Sequence, residues 1–418
     1  MNPLILIAAA LAALAPLALR VEGRYLAAAF GVVVFAAAFF AGSAAFFFAV
    51  IGVLLIAMAL DWGRGALGYA LGLSGVATAL AGYAYVQAVS APQLGAEYIF
   101  IAIAALAIST TGIYGLLASG RGRDNVEGAV KYLVFSGVGK ALILAGFVAA
   151  SYISPALGWS LIIVGFMFEL GIVPAHAWVV DSFALSSPKG VAALALFGEV
   201  SALFTLLAIL RVSPPPAAAG LALLIISLIS MTFANVAGLT ARTYGRTLAY
   251  SSIAHMSYAL AAVGLIAYLG NRLVSVPLIG TISALSLASL VVLLEAFASG
   301  IAKAGLFNAL TTNNADLGPE RRALSNAVNA LSLLGVPPLL GFWPKLFLVL
   351  LSLAFSQVGV AIVVVLNSAI AAPYYLRVFR QVVESAPPGS DNTTSVLAAT
   401  LSIALGVLIP VVLAALLI

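Results

Sequence analysis

The sequence predicts an all-α polytopic membrane protein with about fourteen transmembrane helices, folded as two inverted five-helix repeats whose seventh and twelfth helices are broken. Three observations carry that expectation. The 418 residues are 64% hydrophobic and only 7% charged, with a mean hydropathy of +1.20, whereas a soluble domain carries roughly 25% charged residues. Lysine and arginine crowd into alternate loops. Glycine and proline interrupt apolar runs beside charges that lie deep within them. The composition leaves no room for a soluble domain, so a single membrane domain covers 1–418. Zero cysteines exclude disulfides, thiolate-bound zinc and iron–sulfur clusters held by this chain. Two histidines in the whole sequence argue against a multi-histidine metal or haem site.

With about 28–30 residues for each span and its loop, the length accommodates about fourteen spans. In order they run over 3–19, 25–41, 44–60, 66–89, 97–118, 128–152, 157–180, 190–210, 217–239, 246–268, 276–311, 323–354, 357–381 and 393–418. The first has the length of a signal peptide. It lacks a basic n-region and a small-residue cleavage site, and is read as a retained span. Helices 1–4 occupy 1–89, the rest of the first half 97–210, the second half 217–381, and a C-terminal helix 393–418.

The basic residues orient these spans. The odd loops and their flanks hold thirteen Lys/Arg: Arg20, Arg24, Arg64, Arg121, Arg123, Lys131, Lys189, Arg242, Arg246, Arg321, Arg322, Arg377 and Arg380. The even loops hold two, Arg211 and Arg272. Basic residues favour the cytoplasmic side, so the odd loops are assigned there and both termini outside, in a multi-pass protein of the cell membrane. The net charge of +5 is thereby a membrane-surface signal, and no nucleic-acid partner is implied.

A second set of charges lies within the spans, where ionisable groups are costly and usually face the protein interior or a polar path. It comprises Lys140, Glu169, Glu199, Glu295, Lys303 and Lys345, joined by the titratable His176 and His255. Alternating acids and bases on consecutive helices suit a proton relay, because each neighbour shifts the proton affinity of the next. The blander reading is a set of buried ion pairs that fix helix register. Glu295 and Lys303, eight residues apart, share a helix face and are placed to be bridged by Ser299 or water. Asn308, Asn313 and Asn314 read as loop and cap residues, and Asp181 as an orienting residue at the loop end of span 7.

Three spans carry breakers. Span 7 has Gly171 and Pro174 directly after Glu169. Span 11 has Ser299-Gly300 before Lys303. Span 12 has Gly335, Pro337, Pro338, Gly341 and Pro344 before Lys345. Proline removes a backbone donor and frees carbonyls, which membranes tolerate only inside protein or along a polar cavity. Breaks beside charges in both halves point to inverted repeats, spans 4–8 and 9–13, with the path running through them.

Five stretches resemble a known family. Arg246-Thr-Leu-Ala-Tyr-Ser-Ser-Ile-Ala-His255-Met-Ser-Tyr258 is similar to a signature of the antiporter-like subunits of respiratory complex I, the N (subunit 2) type in particular. Val126 to Tyr132 resembles the start of the family's sixth helix. Phe168 to Asp181, with Ser187-Pro188 after it, resembles the broken seventh. Ala302 to Phe307 resembles the lysine-bearing helix, and Gly335 to Lys345 the broken twelfth. The resemblance covers roughly residues 97 to 380, and the first and last stretches are the most specific. It implies fourteen helices, two inverted five-helix repeats, and transport of protons, or of cations in exchange for protons, along a central row of charges.

The sequence also departs from that pattern. The family's helix-5 glutamate falls near Ala104–Ala107, the helix-7 lysine position is Glu169, and the helix-8 lysine is matched by Glu199. Positions often held by histidine before Lys303 are Ser299 and Glu295. Only Lys303 and Lys345 keep the expected type. The first half therefore has its charge signs reversed, and Lys140 is the expected partner of Glu169. The leading expectation is a proton-translocating subunit of a redox-driven, complex I-like or membrane-bound hydrogenase assembly. Its path would run through Lys140, Glu169, Glu199, His255, Glu295, Lys303 and Lys345, with breaks at Pro174, Pro337 and Pro338. It would hold no cofactor of its own and would partner other membrane subunits, peripheral iron–sulfur subunits and the lipid bilayer. The alternatives are a subunit of a multi-subunit sodium/proton antiporter, whose carboxylates would suit a hard cation, and a non-pumping scaffold.

Overall fold

The structure, a computed structural model, describes residues 21–42, 45–61, 67–120, 122–277, 279–311, 315–319, 323–384 and 391–417. The first expected span, together with Arg20, Arg64, Arg121, Asn313, Asn314, Arg321 and Arg322, lies outside them. The helices are α1 (Gly23–Ala37), α2 (Ala45–Leu60), α3 (Leu67–Ser90), α4 (Gly95–Leu117), α5 (Arg123–Tyr152), α6 (Pro155–Leu170), α7 (Ala177–Leu185) and α8 (Pro188–Val212). They continue as α9 (Ala217–Thr240), α10 (Tyr244–Leu269), α11 (Ala284–Asn308), α12 (Leu324–Leu334), α13 (Phe342–Ala354), α14 (Val358–Glu384) and α15 (Thr393–Leu417). Among the described residues nine helices are long and apolar enough to cross a membrane; α2, α6, α12 and α13 are shorter apolar helices, and Thr393–Ile409 of α15 forms a further apolar stretch.

Burial is arranged as a bilayer requires. Outer helices turn large apolar side chains outward: Leu221, Ile225, Ile229, Phe233 and Val236 on α9, and Ile362, Val365, Leu366 and Leu376 on α14. In lipid such exposure costs nothing, so these faces need no polar cover. Helices α8 and α10 are instead buried nearly all round, with α11 packed against both. That inner layer holds Glu199, His255, Glu295 and Lys303.

Two expected breaks occur where the glycines sit. Helix α6 begins with Pro155 in its first turn and ends at Gly171, which takes a left-handed conformation (φ 64°) that side chains disfavour. Helix α12 ends in the same way at Gly335 (φ 88°), whose N–H bonds the carbonyls of Leu331 and Ser332. Pro174 lies between α6 and α7, and Pro337 and Pro338 between α12 and α13.

The third expected break is absent. Helix α11 runs unbroken through Ser299, Gly300 and Lys303, because a glycine without a proline leaves every backbone donor in place. The interruption occurs in α8 instead, where Leu194–Gly198 forms a π-turn directly before Glu199. The region assigned to the start of span 11 also differs. Leu273–Val276 and Gly280–Ser283 pair as an antiparallel hairpin, Leu273 opposite Ser283 and Val276 opposite Gly280. Alternating β-branched residues on either side of Pro277 favour strands there over helix, and Ser283 then caps α11 by accepting from the Ser286 N–H at 3.1 Å.

Helices α5 and α6 pack through small residues. A Cβ at Gly139 would lie 2.8 Å from the Gly165 carbonyl oxygen, and one at Gly146 2.7 Å from that of Gly158. Close backbone approach of this kind is how helices gain contact in lipid, where the hydrophobic effect gives no drive. Farther along the chain, Asp61 ties down α15: its carboxylate accepts from the N–H groups of Thr393 and Thr394 at 3.1 and 2.7 Å and from the Asn308 side chain at 3.0 Å. Asn308, expected as a cap or loop residue, is a buried part of this clasp, since it also donates to Thr394 Oγ1 at 2.9 Å.

The glycine contact yields a prediction. Gly139→Leu should destabilise the detergent-solubilised chain by about 1–3 kcal/mol through overpacking. Gly137→Leu, two residues away with nothing within 4 Å of its added Cβ, should melt like the parent. Equal melting temperatures for both variants would refute a close α5–α6 contact.

Candidate functional site

The close approach of α5 and α6 sets Lys140 opposite Glu169, the next-to-last residue of α6. Both are buried, and the lysine Nζ donates to the two carboxylate oxygens at 3.0 and 2.8 Å. Ser136, one turn before Lys140, donates to Glu169 Oε2 at 2.9 Å and accepts from Lys140 Nζ. The expected pairing of reversed sign is thus present, with a hydroxyl between its members.

A second pair follows. Glu199 on α8 lies 3.9 Å from Lys303 of α11 and accepts from the Ser252 hydroxyl. Lys303 is fully buried and donates to Ser299 Oγ at 2.5 Å. Each of these lysines therefore meets a serine four residues earlier on its own helix, Ser136 for Lys140 and Ser299 for Lys303. The two carboxylates line one small cavity, shared with Tyr132, Trp178, Phe183 and Gly198, of about 10 Å³. That is close to the space one water occupies.

The third cluster centres on His255. Its Nδ1 lies 2.7 Å from Glu295 Oε1 and its Nε2 2.9 Å from the Tyr375 hydroxyl, which is in turn 2.8 Å from Ser251 Oγ. Ser299 does not bridge Glu295 to Lys303 as the helix spacing suggested; the glutamate turns to the imidazole and the serine serves the lysine alone. A charged carboxylate is a stronger hydrogen-bond partner for an imidazole than a neutral hydroxyl is.

Lys345 ends the row. It stands in the first turn of α13 and donates to the carbonyls of Leu333 and Leu334 at 3.0 and 3.1 Å, the last carbonyls of α12 that the break leaves free. Its ammonium also lies 5.7 and 5.9 Å from the ring centres of Tyr258 and Tyr375, within cation–π range. The break at Gly335 thereby supplies a partner for the charge that follows it.

His176 directly precedes α7 and packs edge-on against Phe233, with ring centres 4.8 Å apart. Asp181 lies within α7 and pairs with Lys131 at 2.6 Å, so Lys131, read as a topology anchor, also fixes the second segment of the broken helix. Sequence reasoning missed Tyr375, Ser136 and Ser252. A serine one turn before a buried lysine was a usable signal for Ser136. Tyr375 on α14 carried none, since nothing in a sequence marks one tyrosine of an apolar helix as facing a histidine 120 residues away.

Residues 132–371 match the family described as NADH:quinone oxidoreductase/Mrp antiporter, transmembrane. The chain belongs to this family. Among curated members, a subunit N 2 of NADH-quinone oxidoreductase from Acidobacterium capsulatum is 35% identical over 204 residues, covering 43% of this chain and 38% of that protein. A second subunit N 2, from Solidesulfovibrio magneticus, is 30% identical over 303 residues, covering 66% and 62%. The chain thus spans less than two thirds of the length of these relatives. Among solved structures, a chain of respiratory complex I from Thermus thermophilus superposes with a TM-score of 0.76 at 22% identity, covering 98% of both chains. A chain of an archaeal membrane-bound sulfane sulfur reductase gives 0.73 at 18% identity, covering 99% and 94%, and one of the Mrp complex from Dietzia gives 0.68 at 16%, covering 88% and 81%. These share the family fold.

The first pair gives a prediction of its own. Glu169→Gln leaves Lys140 buried without a counter-charge and should destabilise the solubilised chain by about 3–5 kcal/mol. Combining Lys140→Met with Glu169→Gln should recover most of that loss, because neither charge is then stranded. Additive losses across this double-mutant cycle would show that the two side chains do not interact.

Proposed function

We propose that this family member is a proton-translocating membrane subunit of a redox-driven, complex I-like assembly. The observation that carries the reading is the buried row Lys140–Glu169, Glu199–Lys303, Glu295–His255 and Lys345. It crosses six helices and has a hydroxyl or a carbonyl at every member but Glu295, whose partner is the His255 imidazole. A set of register-fixing ion pairs would need neither the tyrosine-linked imidazole nor a lysine resting on backbone carbonyls. Each carboxylate can take up a proton and release its cation partner, which is the elementary step of a relay. The names of the curated relatives favour quinone-reducing complexes over the stand-alone antiporter. Redox groups then reside in other subunits, with iron–sulfur clusters in peripheral ones, and this chain holds none.

The finer architecture belongs to the same reading. Expected spans 2–14 coincide with α1–α15 when α6 with α7 and α12 with α13 are each counted as one broken span. Fourteen spans in two inverted five-helix repeats, in the cell membrane with both termini outside, are part of this proposal, supported by that correspondence and by the loop charges. The cavity between Glu169 and Glu199 is the one feature that favours a sodium-coupled reading.

Two experiments test this. The native complex, purified in mild detergent, should contain iron–sulfur subunits by mass spectrometry; other small membrane subunits without metal would move the protein to the antiporter class. Lys303→Met and Lys345→Met in that complex should each lower redox-driven acidification of proteoliposomes on the order of tenfold or more while electron transfer persists, the scale expected when a proton-transfer group is removed. Unchanged proton transport in both variants would refute the row as a path, and transport that requires sodium would favour the alternative.

A further inference from the structure

We propose that Ser251 and Tyr375 form a hydroxyl lead that delivers protons to the His255–Glu295 pair from the end of the bundle that carries Arg242 and Arg246. The proposal rests on the proton-translocating reading and assigns it an entry point. Four observations point to it.

Both nitrogens of the His255 imidazole are engaged, Nδ1 by Glu295 at 2.7 Å and Nε2 by Tyr375 at 2.9 Å. The Tyr375 hydroxyl continues to Ser251 Oγ at 2.8 Å, and all four residues are buried. A hydroxyl both donates and accepts, so each of the two can turn to pass a proton in either direction. On α10 the residues Thr247, Ser251 and His255 follow at intervals of four, the spacing that lines up one helix face, and Thr243 stands at the N-cap position four residues before Thr247. Thr247 is 3% exposed and donates to the Thr243 carbonyl at 2.7 Å. A four-residue step rises about 6 Å, a gap one bridging water can fill. At the outer end of this stripe a cleft of about 280 Å³ opens among Thr240, Arg242, Thr243, Arg246 and Tyr250.

The proton count closes. In the unloaded chain Ser251 donates to Tyr375, Tyr375 donates to His255 Nε2, and the N–H at Nδ1 donates to the Glu295 carboxylate. A proton arriving on Ser251 Oγ sends the serine proton to Tyr375, the tyrosine proton to Nε2, and the Nδ1 proton to Glu295 Oε1. The result is a neutral Glu295, an imidazole protonated at Nε2 and two hydroxyls turned the other way. One proton has entered and one has been stored. Tyr375 is therefore a relay residue that also sets the tautomer of His255, and its ring lies beneath the Lys345 ammonium, the next charge in the row.

The two-histidine composition makes the test direct. In the full chain carrying His176→Gln, labelled with ¹⁵N-histidine and held in lipid nanodiscs, His255 gives the only imidazole signals. Tyr375→Phe removes the hydroxyl and keeps the ring, and should move the Nε2 resonance; Ser251→Ala should move it in the same sense by less. An unmoved Nε2 resonance in Tyr375→Phe overturns the proposal whatever the complex pumps. In the intact complex, Tyr375→Phe and Ser251→Ala should each lower redox-driven proton transport by roughly tenfold. If both variants transport normally while Lys345→Met does not, the lead is wrong and the proton reading stands. If Lys303→Met and Lys345→Met also transport normally, the reading itself falls.

Discussion

A carboxylate or ammonium taken out of water costs several kcal/mol even after its surroundings relax, and among the described residues seven acidic, basic or histidine side chains lie buried among the helices. The need to partner each of them governs the rest of the structure. Lys140 and Glu169 meet only because α5 and α6 approach through Gly139 and Gly165, where a single Cβ would intrude on backbone. Glu199 faces Lys303 at the point where α8 loosens into a π-turn, a local irregularity often found at functional positions. Lys345 rests on carbonyls that exist as acceptors only because Gly335 stops α12. Glycine, π-turn and helix break are three solutions to one electrostatic problem.

Sign matters less to this arrangement than pairing. Glu169 stands where the family resemblance led to the expectation of a lysine, and Lys140 on the neighbouring helix supplies the opposite charge. Ser136 donates to the carboxylate and accepts from the ammonium, so it remains satisfied when either one changes its charge. Ser299 likewise accepts from Lys303, while Ser252 donates to its carboxylate partner Glu199. A hydroxyl one turn from a buried lysine softens the cost of losing its counter-charge, which a purely apolar neighbour cannot do.

Much of this was legible in the sequence, for physical reasons. Apolar runs broken by charge mark helices in lipid without ambiguity, and Gly-Pro clusters at 171–174 and 335–338 announced the two breaks because proline leaves carbonyls unpaired. Glycine alone is a weaker signal, and Ser299-Gly300 left α11 intact. The pairing of Lys140 with Glu169 was inferable from a missing acid. Beyond that, the sequence was silent. The partner of Glu295 depended on rotation of α10 against α11, and the approach of Tyr375 on the placement of α14, neither of which a linear pattern encodes. The π-turn before Glu199 is invisible for the same reason: the inserted residue changes the helical phase without any distinctive composition.

The partners along the row are not equivalent, and that inequality gives the row a direction. Glu169, Glu199 and Glu295 are partners that a proton can neutralise, so a single protonation removes the attraction felt by Lys140, Lys303 or His255. The carbonyls of Leu333 and Leu334 and the faces of Tyr258 and Tyr375 hold Lys345 by dipoles and quadrupoles that no protonation can erase. A disturbance entering at the first pair can therefore pass from one exchangeable partner to the next, through the cavity shared by Glu169 and Glu199. At Lys345 it meets carbonyl and ring partners that keep their dipoles and quadrupoles whatever is protonated, and on the proposed reading these sit on the broken helix α12–α13 and its neighbours.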